Sequence, residues 1–272
     1  MAYIDIQSVR TAGGFPDDLI SDDQIRHAIQ IVEEQAERFM GTYFSPRLKI
    51  DYLDGTGENY LFTNRNPVLR VDYIESNEVS ISPEDVVISR ESGKITLKRT
   101  ASTSSFLGVP EGVIIQYWTA YLLPNDDYKH VDDDVDKGSD VEIELDNTSN
   151  LLVGDWVQFQ SRTGYTSAKI TNINYSTQKI TVDKLVVDIK ENTIVNKLIL
   201  PTYLKRLIEL ESTIYLAINA VGATYVFNAG YSIPEFSVQK GVPYTHWKES
   251  IEKAIRERDT LMKTIKPRFI IR

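Results

Sequence analysis

The sequence predicts an α+β fold in which a helical core and an antiparallel β-meander are interrupted by a small all-β barrel or sandwich. Three patterns support this class. Apolar residues recur at helical spacing near both ends of the chain, they alternate between residues 47 and 118, and short strands separated by turns fill residues 124–200. A chain of 272 residues favours two domains. We expect a discontinuous core from residues 1–123 and 201–272, and an inserted β-domain at 124–200.

The first strong helix begins at Ser21, because Ser21 and Gln24 have the spacing of a capping box. Apolar residues then share one face as far as Met40, and Gly41 stands where a left-handed C-cap belongs. The sequence therefore predicts an amphipathic helix whose opposite face is charged.

From Arg47 the apolar residues alternate, with Leu48, Ile50 and Tyr52 on one face of a predicted strand. A turn at Asp54-Gly55-Thr56-Gly57 leads into a second strand at Tyr60–Phe62, so we expect the two strands to form a hairpin. Further strands of the meander are predicted at Val68–Ile74, Val86–Ile88, Lys94–Leu97 and Val113–Trp118.

The β-insert begins with an acidic stretch between Asp126 and Asp136, and we interpret its run from Asp132 to Asp136 as a solvated linker. Five short strands follow, and their number and spacing are typical of an SH3-like or OB-like barrel. Helical sequence resumes at Pro201 and continues to about Ala220, and Thr245 is suited to cap a last helix that ends before Pro267.

Composition limits the possible functions. The net charge of −9 and a pI near 5.0 argue against a protein that grips nucleic acid, although an acidic wall suits a conduit through which DNA slides. The absence of cysteine excludes disulfides and thiolate chemistry. No apolar run is long enough to span a bilayer, and the N-terminus lacks the layout of a signal peptide, so we expect a soluble, cytoplasmic protein.

No motif for catalysis or cofactor binding stands out, so we expect no enzyme activity, no cofactor and no metal. His27, His130 and His246 are far apart in the sequence and form no ligand pair. The acidic run fails as an EF-hand, because Gly138 comes one residue late and the twelfth position from Asp132 is Ile143.

The C-terminal tail combines apolar and basic residues: Arg268, Phe269, Ile270, Ile271 and Arg272. An apolar extended end flanked by arginines suits addition to the sheet edge of a neighbouring protein. The alternative is that the tail folds back on its own domain.

The order of these features resembles the head-tail connector (adaptor) family of tailed bacteriophages. The resemblance covers the chain outside the β-insert. It rests on the helix from Ser21 to Phe39 and on these segments in order: Gly41–Phe44, Asp51–Gly57 running into Leu61-Phe62, Asn66–Val71, Gly93–Leu97, Val113–Trp118 and the helix-rich end from Leu200-Pro201.

This resemblance implies a virion structural protein that assembles in the host cytoplasm and forms a ring, dodecameric in the family, below the portal vertex. The ring extends the DNA channel without binding DNA specifically, docks the stopper or tail-completion protein, and contacts no membrane. In that setting, we expect the tail Arg268–Arg272 to bind the portal. The loop formed by Asp54, Gly55, Thr56, Gly57 and Glu58 is expected to face the stopper. The β-insert departs from the family's usual length.

Two other functional classes remain open at this point. A binding module would carry a ligand or partner site on the β-insert and would be monomeric. An enzyme such as a hydrolase with dispersed acidic residues would need a site that no spacing reveals.

Overall fold

A computed structural model describes residues 4–15, 20–161, 164–228 and 242–264 of the chain. The chain divides into two compact units. The first consists of Met1–Gly41 together with Pro201–Arg272, and the second of Thr42–Leu200.

The first unit contains the four helices of the described residues: α1 (Ile6–Gly13), α2 (Asp22–Met40), α3 (Thr202–Asn228) and α4 (Val242–Thr264). The capping box of α2 is confirmed, since the Ser21 hydroxyl accepts from the Gln24 amide and the Gln24 side chain accepts from the Ser21 amide. Gly41 is left-handed, with φ of 65°, as a C-cap requires. Between α3 and α4, Arg206 forms a two-point salt bridge with Glu257 at 2.7 and 2.9 Å.

The second unit contains thirteen strands in three antiparallel sheets. The strands are β1 (Arg47–Leu53), β2 (Tyr60–Phe62), β3 (Val68–Ser76), β4 (Val79–Ile81), β5 (Val86–Ser89), β6 (Lys94–Leu97), β7 (Val113–Thr119), β8 (Leu123–His130), β9 (Gly138–Glu144), β10 (Trp156–Ser161), β11 (Gly164–Asn174), β12 (Lys179–Leu185) and β13 (Ile194–Ile199). The strand orders are β1-β7-β3-β4, β2-β6-β5 and β8-β13-β10-β11-β12-β9.

The predicted α+β class with a helical connector-type core is wrong. Antiparallel sheets dominate the fold, and the helices of the described residues provide no core for it. Strands such as β6 and β7 bury alternate side chains, and the extensive cores of the second unit form between strands. Between α3 and α4, Leu210, Ile214 and Ala254 form a small apolar cluster.

The predicted hairpin of β1 and β2 is also wrong. β1 pairs along its whole length with β7, from Arg47 opposite Thr119 to Leu53 opposite Val113, whereas β2 pairs with β6 in a different sheet. The turn after β1 therefore crosses from one sheet to the other. Pairing between distant strands leaves no short-range turn signal, and this is why the sequence pattern favoured the local hairpin.

The six-stranded sheet runs from Leu123 to Ile199 and encloses its own buried core, which includes Val131, Ile143 and Phe159. Asp126 and Asp127 of the acidic stretch lie in strand β8, which the sequence pattern did not predict. Aspartate is disfavoured in strands, so propensity concealed this element.

Candidate assembly surface

The outer face of β1 is apolar and exposed to solvent. Ile50 and Tyr52 retain 54% and 63% of their accessible surface, and Leu48 beside them is exposed as well. Each lies opposite a half-buried residue of β7, so the three side chains continue one face of the four-stranded sheet. Within the described residues β1 pairs only with β7 and forms an edge of this sheet. An exposed apolar edge strand is a ready surface for another chain.

The inner face of β1 carries a buried polar contact. The Tyr117 hydroxyl donates to Asp51 Oδ2 at 2.6 Å and accepts from the Arg65 amide at 3.1 Å. Burial, together with the neighbouring Asp51 carboxylate, raises the pKa of Tyr117, so the phenol stays protonated and keeps donating. This contact holds the segment after β2 against the sheet.

Three cations gather around the ring of Tyr43, just before β1. The guanidinium carbons of Arg47 and Arg65 lie 4.4 and 5.7 Å from the ring centroid, and Lys49 Nζ lies 5.0 Å from it. Each distance is within the range of a cation–π contact. We call these four residues the basic cluster.

The loop Asp54–Glu58, which we expected to face the stopper, is exposed except at Gly55 and firmly held. The Gly55 amide donates to Val109 O at 3.0 Å, and the Gly57 amide donates to Phe106 O at 2.6 Å. Asp54 Oδ1 accepts from the Glu111 amide at 2.8 Å. The loop is therefore a preformed projection rather than a loose linker, and its role remains a prediction.

The two glycines of this loop serve different purposes. At Gly55 a Cβ would lie 1.4 Å from Leu107 O, so the close approach of two backbone segments requires glycine. Gly57 has φ of 74°, which favours glycine on conformational grounds. The predicted portal-binding residues Arg268–Arg272 lie outside the described residues.

A buried ion pair joins the four-stranded sheet to the six-stranded sheet. Arg70 on β3 is 2% exposed and contacts Asp183 on β12 through two hydrogen bonds of 2.8 and 2.9 Å. Its Nε also donates to Asp72 at 2.8 Å. Burial alone would raise the pKa of Asp183, but the hydrogen bonds and charge of Arg70 outweigh it and hold that pKa below its usual range.

A cavity of about 390 Å³ lies between β5 and the six-stranded sheet. Its apolar walls include Val86, Ile88 and Tyr165. At its rim, Lys98 Nζ donates to Glu84 O at 2.6 Å.

Sites for metal chemistry do not emerge from the described residues, where no three His, Cys, Asp or Glu side chains are grouped to hold an ion. His130 pairs with Asp146, Nδ1 to Oδ2 at 3.2 Å, and His27 lies exposed on α2.

Sequence reasoning missed the basic cluster and the Arg70 ion pair. The alternation of β1 predicted that Arg47 and Lys49 share one face of the strand. No local sequence pattern predicted that Arg65 lies beside Tyr43. Arg70 stood within an apolar strand, and a charge at such a position is the one available signal for a buried ion pair.

No protein-family model matches the chain, and no curated protein matches it either. None of the helices in the described part of the chain combines the length and the apolar character that a membrane span requires.

Proposed function

We propose that this chain is a structural subunit of a bacteriophage neck, an adaptor that assembles into a ring, dodecameric by family resemblance, below the portal. The ring extends the DNA channel and docks the stopper or tail-completion protein. The subunit is not an enzyme, and it belongs to the virion after assembly in the host cytoplasm.

The observation that carries this proposal is the apolar outer face of β1. Large side chains such as Ile50 and Tyr52 are costly to leave in water, and together they present a surface that burial between subunits would stabilise. Because β1 is an edge strand among the described residues, its backbone can also bond to a strand of a neighbour.

Four of the segments that carry the family resemblance share one place in the fold. Leu61, Val68, Ile95 and Val113, which come from four of these segments, pack into a single core. Segments that are separate in the sequence thus form one structural unit, which supports the view that their order reflects a common architecture.

The charge of the chain supports a role as a DNA conduit. Each subunit carries −9, and a ring of such subunits repels phosphate, so DNA would pass without adhering. The proposal therefore needs no specific DNA contact.

The loop Asp54–Glu58 is the proposed contact with the stopper. It is exposed, and its backbone bonds to the segment 106–111 hold it in one shape before any partner binds. Preorganisation of this kind reduces the entropy lost on docking.

The tail Arg268–Arg272 is the proposed portal contact. Truncation after Lys266 should abolish binding to the portal in a pull-down while leaving the fold, followed by circular dichroism, unchanged. Portal binding that survives the truncation would exclude this role for the tail.

The proposal as a whole is tested by native mass spectrometry and negative-stain imaging of the purified chain, with and without its candidate portal. A ring of about a dozen subunits, alone or on the portal, is the expected result. A chain that stays monomeric and ignores the portal would overturn the proposal.

The cavity between β5 and the six-stranded sheet favours a second function, in which the β-insert binds a small ligand on a monomeric scaffold. Its volume of about 390 Å³ is within the size range of small-molecule sites. Val87 lines the cavity, so Val87→Trp should fill it. Calorimetric titration with mono- and disaccharides tests this function. Binding by a monomeric wild-type chain that is lost in Val87→Trp would support it, and no binding to any sugar would count against it.

A further inference from the structure

The basic cluster is unusual for this chain, because it concentrates positive charge on an acidic protein. Arg47, Lys49 and Arg65 all approach one ring, that of Tyr43, within 5.7 Å of its centroid. Three positive charges around one ring attract an approaching anionic group. The aromatic ring offers an apolar contact at the same place.

The negative charge of the chain is unevenly distributed along it. Residues 124–200 contain 14 Asp and Glu against 8 Lys and Arg, a net charge of −6 out of the total of −9. The densest part is the segment 131–137, which we call the acidic arm. It carries four exposed aspartates: Asp132, Asp133, Asp134 and Asp136.

The acidic arm is held in a fixed shape. The Val131 amide donates to Thr193 O at 3.1 Å, and Val135 exchanges two backbone hydrogen bonds of 2.8 Å with Ile189. Val131 is buried in the core of the six-stranded sheet, and Val135 packs against that core. The two valines therefore anchor the arm while the aspartates project into solvent.

Most of this charge has no partner among the residues that the structure describes. Asp134 pairs with Lys190 at 2.7 Å. The side chains of Asp132, Asp133 and Asp136 have no hydrogen-bond or salt-bridge partner in the described part of the chain. The arm is thus a preformed anionic surface whose charge is available to a neighbour.

We propose that the basic cluster of one subunit receives the acidic arm of the next subunit in the ring. This inference rests on the proposed function and identifies the surfaces that join its subunits. A surface and its complement at different places on one chain produce a head-to-tail contact, which closes into a ring when the rotation permits. Arg47 and Lys49 lie on the face of β1 opposite Leu48, Ile50 and Tyr52, because successive side chains of a strand point to opposite sides. The proposed contact and the apolar outer face of β1 are therefore separate surfaces.

Charge reversal on each side tests the contact. Arg47→Glu with Lys49→Glu, and separately Asp132→Lys with Asp133→Lys, should each weaken assembly roughly tenfold or more, because like charges then face each other. An equimolar mixture of the two variants should recover assembly, since a ring in which the two variants alternate pairs opposite charges at every junction. The readouts are native mass spectrometry and negative-stain imaging over a range of concentrations, with and without the candidate portal.

The controls distinguish loss of the proposed contact from misfolding and from a general effect of net charge. Arg26→Glu with Arg256→Glu changes the net charge equally at two exposed helical positions and should leave assembly unchanged. The milder Arg47→Gln with Lys49→Gln keeps the test informative if the reversed variant misfolds, and circular dichroism reports the fold of each chain.

The possible outcomes have different meanings. Wild-type rings together with unchanged assembly of both reversed variants would overturn the contact but leave the adaptor function standing. Loss of assembly in each variant without recovery in the mixture would also contradict this pairing. A wild-type chain that never assembles would overturn the proposed function itself, and with it the contact.

Discussion

The guanidinium of Arg70 lies against the carboxylate of Asp183 with two nearly equal hydrogen bonds, Nη1 to Oδ1 at 2.8 Å and Nη2 to Oδ2 at 2.9 Å. The same Nη1 donates to Lys184 O at 3.0 Å. The single buried side chain of Arg70 on β3 thereby donates hydrogen bonds to both a carboxylate and a backbone carbonyl of β12. The junction between the two sheets is therefore polar and geometrically specific.

Replacement of Arg70 by methionine should destabilise the fold by roughly 3–5 kcal/mol, because Asp183 and Asp72 would lose the cation that compensates their partial burial. Chemical denaturation monitored by tryptophan fluorescence measures the change. Lys190→Met is the matched control, since it removes the same kind of pair at an exposed site and should have little effect. Equal losses in the free energy of unfolding for the two replacements would show that the buried ion pair contributes no more to stability than the exposed one.

The stability contributed by Asp183 should depend on pH. Its pKa is lowered in the folded state, so the contribution is present above the ordinary aspartate pKa of about 3.9 and is lost as the pH falls through the lowered value. Asp183→Asn should therefore destabilise the chain at neutral pH, and the difference from wild type should shrink below about pH 4. Urea denaturation at several pH values measures this, and a constant difference would contradict the assignment.

The loop after β1 offers a comparison of two glycines. Gly55→Ala places a methyl group 1.4 Å from Leu107 O, so the backbone must move, and we expect a loss of roughly 1–3 kcal/mol. Gly57→Ala has open space and meets only the cost of its φ of 74°, about 1 kcal/mol. Thermal unfolding of both variants measures the difference. A Gly57→Ala variant less stable than Gly55→Ala would contradict the close packing of the loop.

The outer face of β1 should matter for assembly and not for folding. Ile50→Asp puts a charge on a side chain that is already 54% exposed, so the isolated subunit should keep its stability. Ring formation should weaken at least roughly tenfold, about 1.4 kcal/mol, because the charge would have to be buried. Val79→Asp on β4 is the control at another exposed strand position. Rings formed by Ile50→Asp at wild-type concentrations would remove this face from the interface.

The sequence predicted what short-range chemistry determines. Ser21, Gln24 and Gly41 mark the limits of α2 through hydrogen bonds within a few residues, and these predictions are confirmed. Six strands of the meander were also predicted from alternation and turn residues, whereas β4 was not. Strand partners did not, because the pairing of β1 with β7 joins residues far apart in the chain, for which a single sequence has no signal.

The candidate surface was predictable only in part. The turn residues identified the exposed loop at Asp54–Glu58. The basic cluster depends on where Arg65 lies after β2, and the ion pair of Arg70 depends on β12 more than a hundred residues later. The basic cluster and the ion pair both result from tertiary packing, so no local sequence pattern predicts them.

The register of β1 against β7 also determines how the chain would respond to a pulling force. Seven residue pairs face each other from Arg47 to Leu53 without a shift. A pull on the loop at Asp54, directed along β1, stresses these pairs together in shear and does not peel them apart one at a time. Such an arrangement yields only when many hydrogen bonds fail at once, so the projecting loop is tied to a strand pair that resists a sustained force.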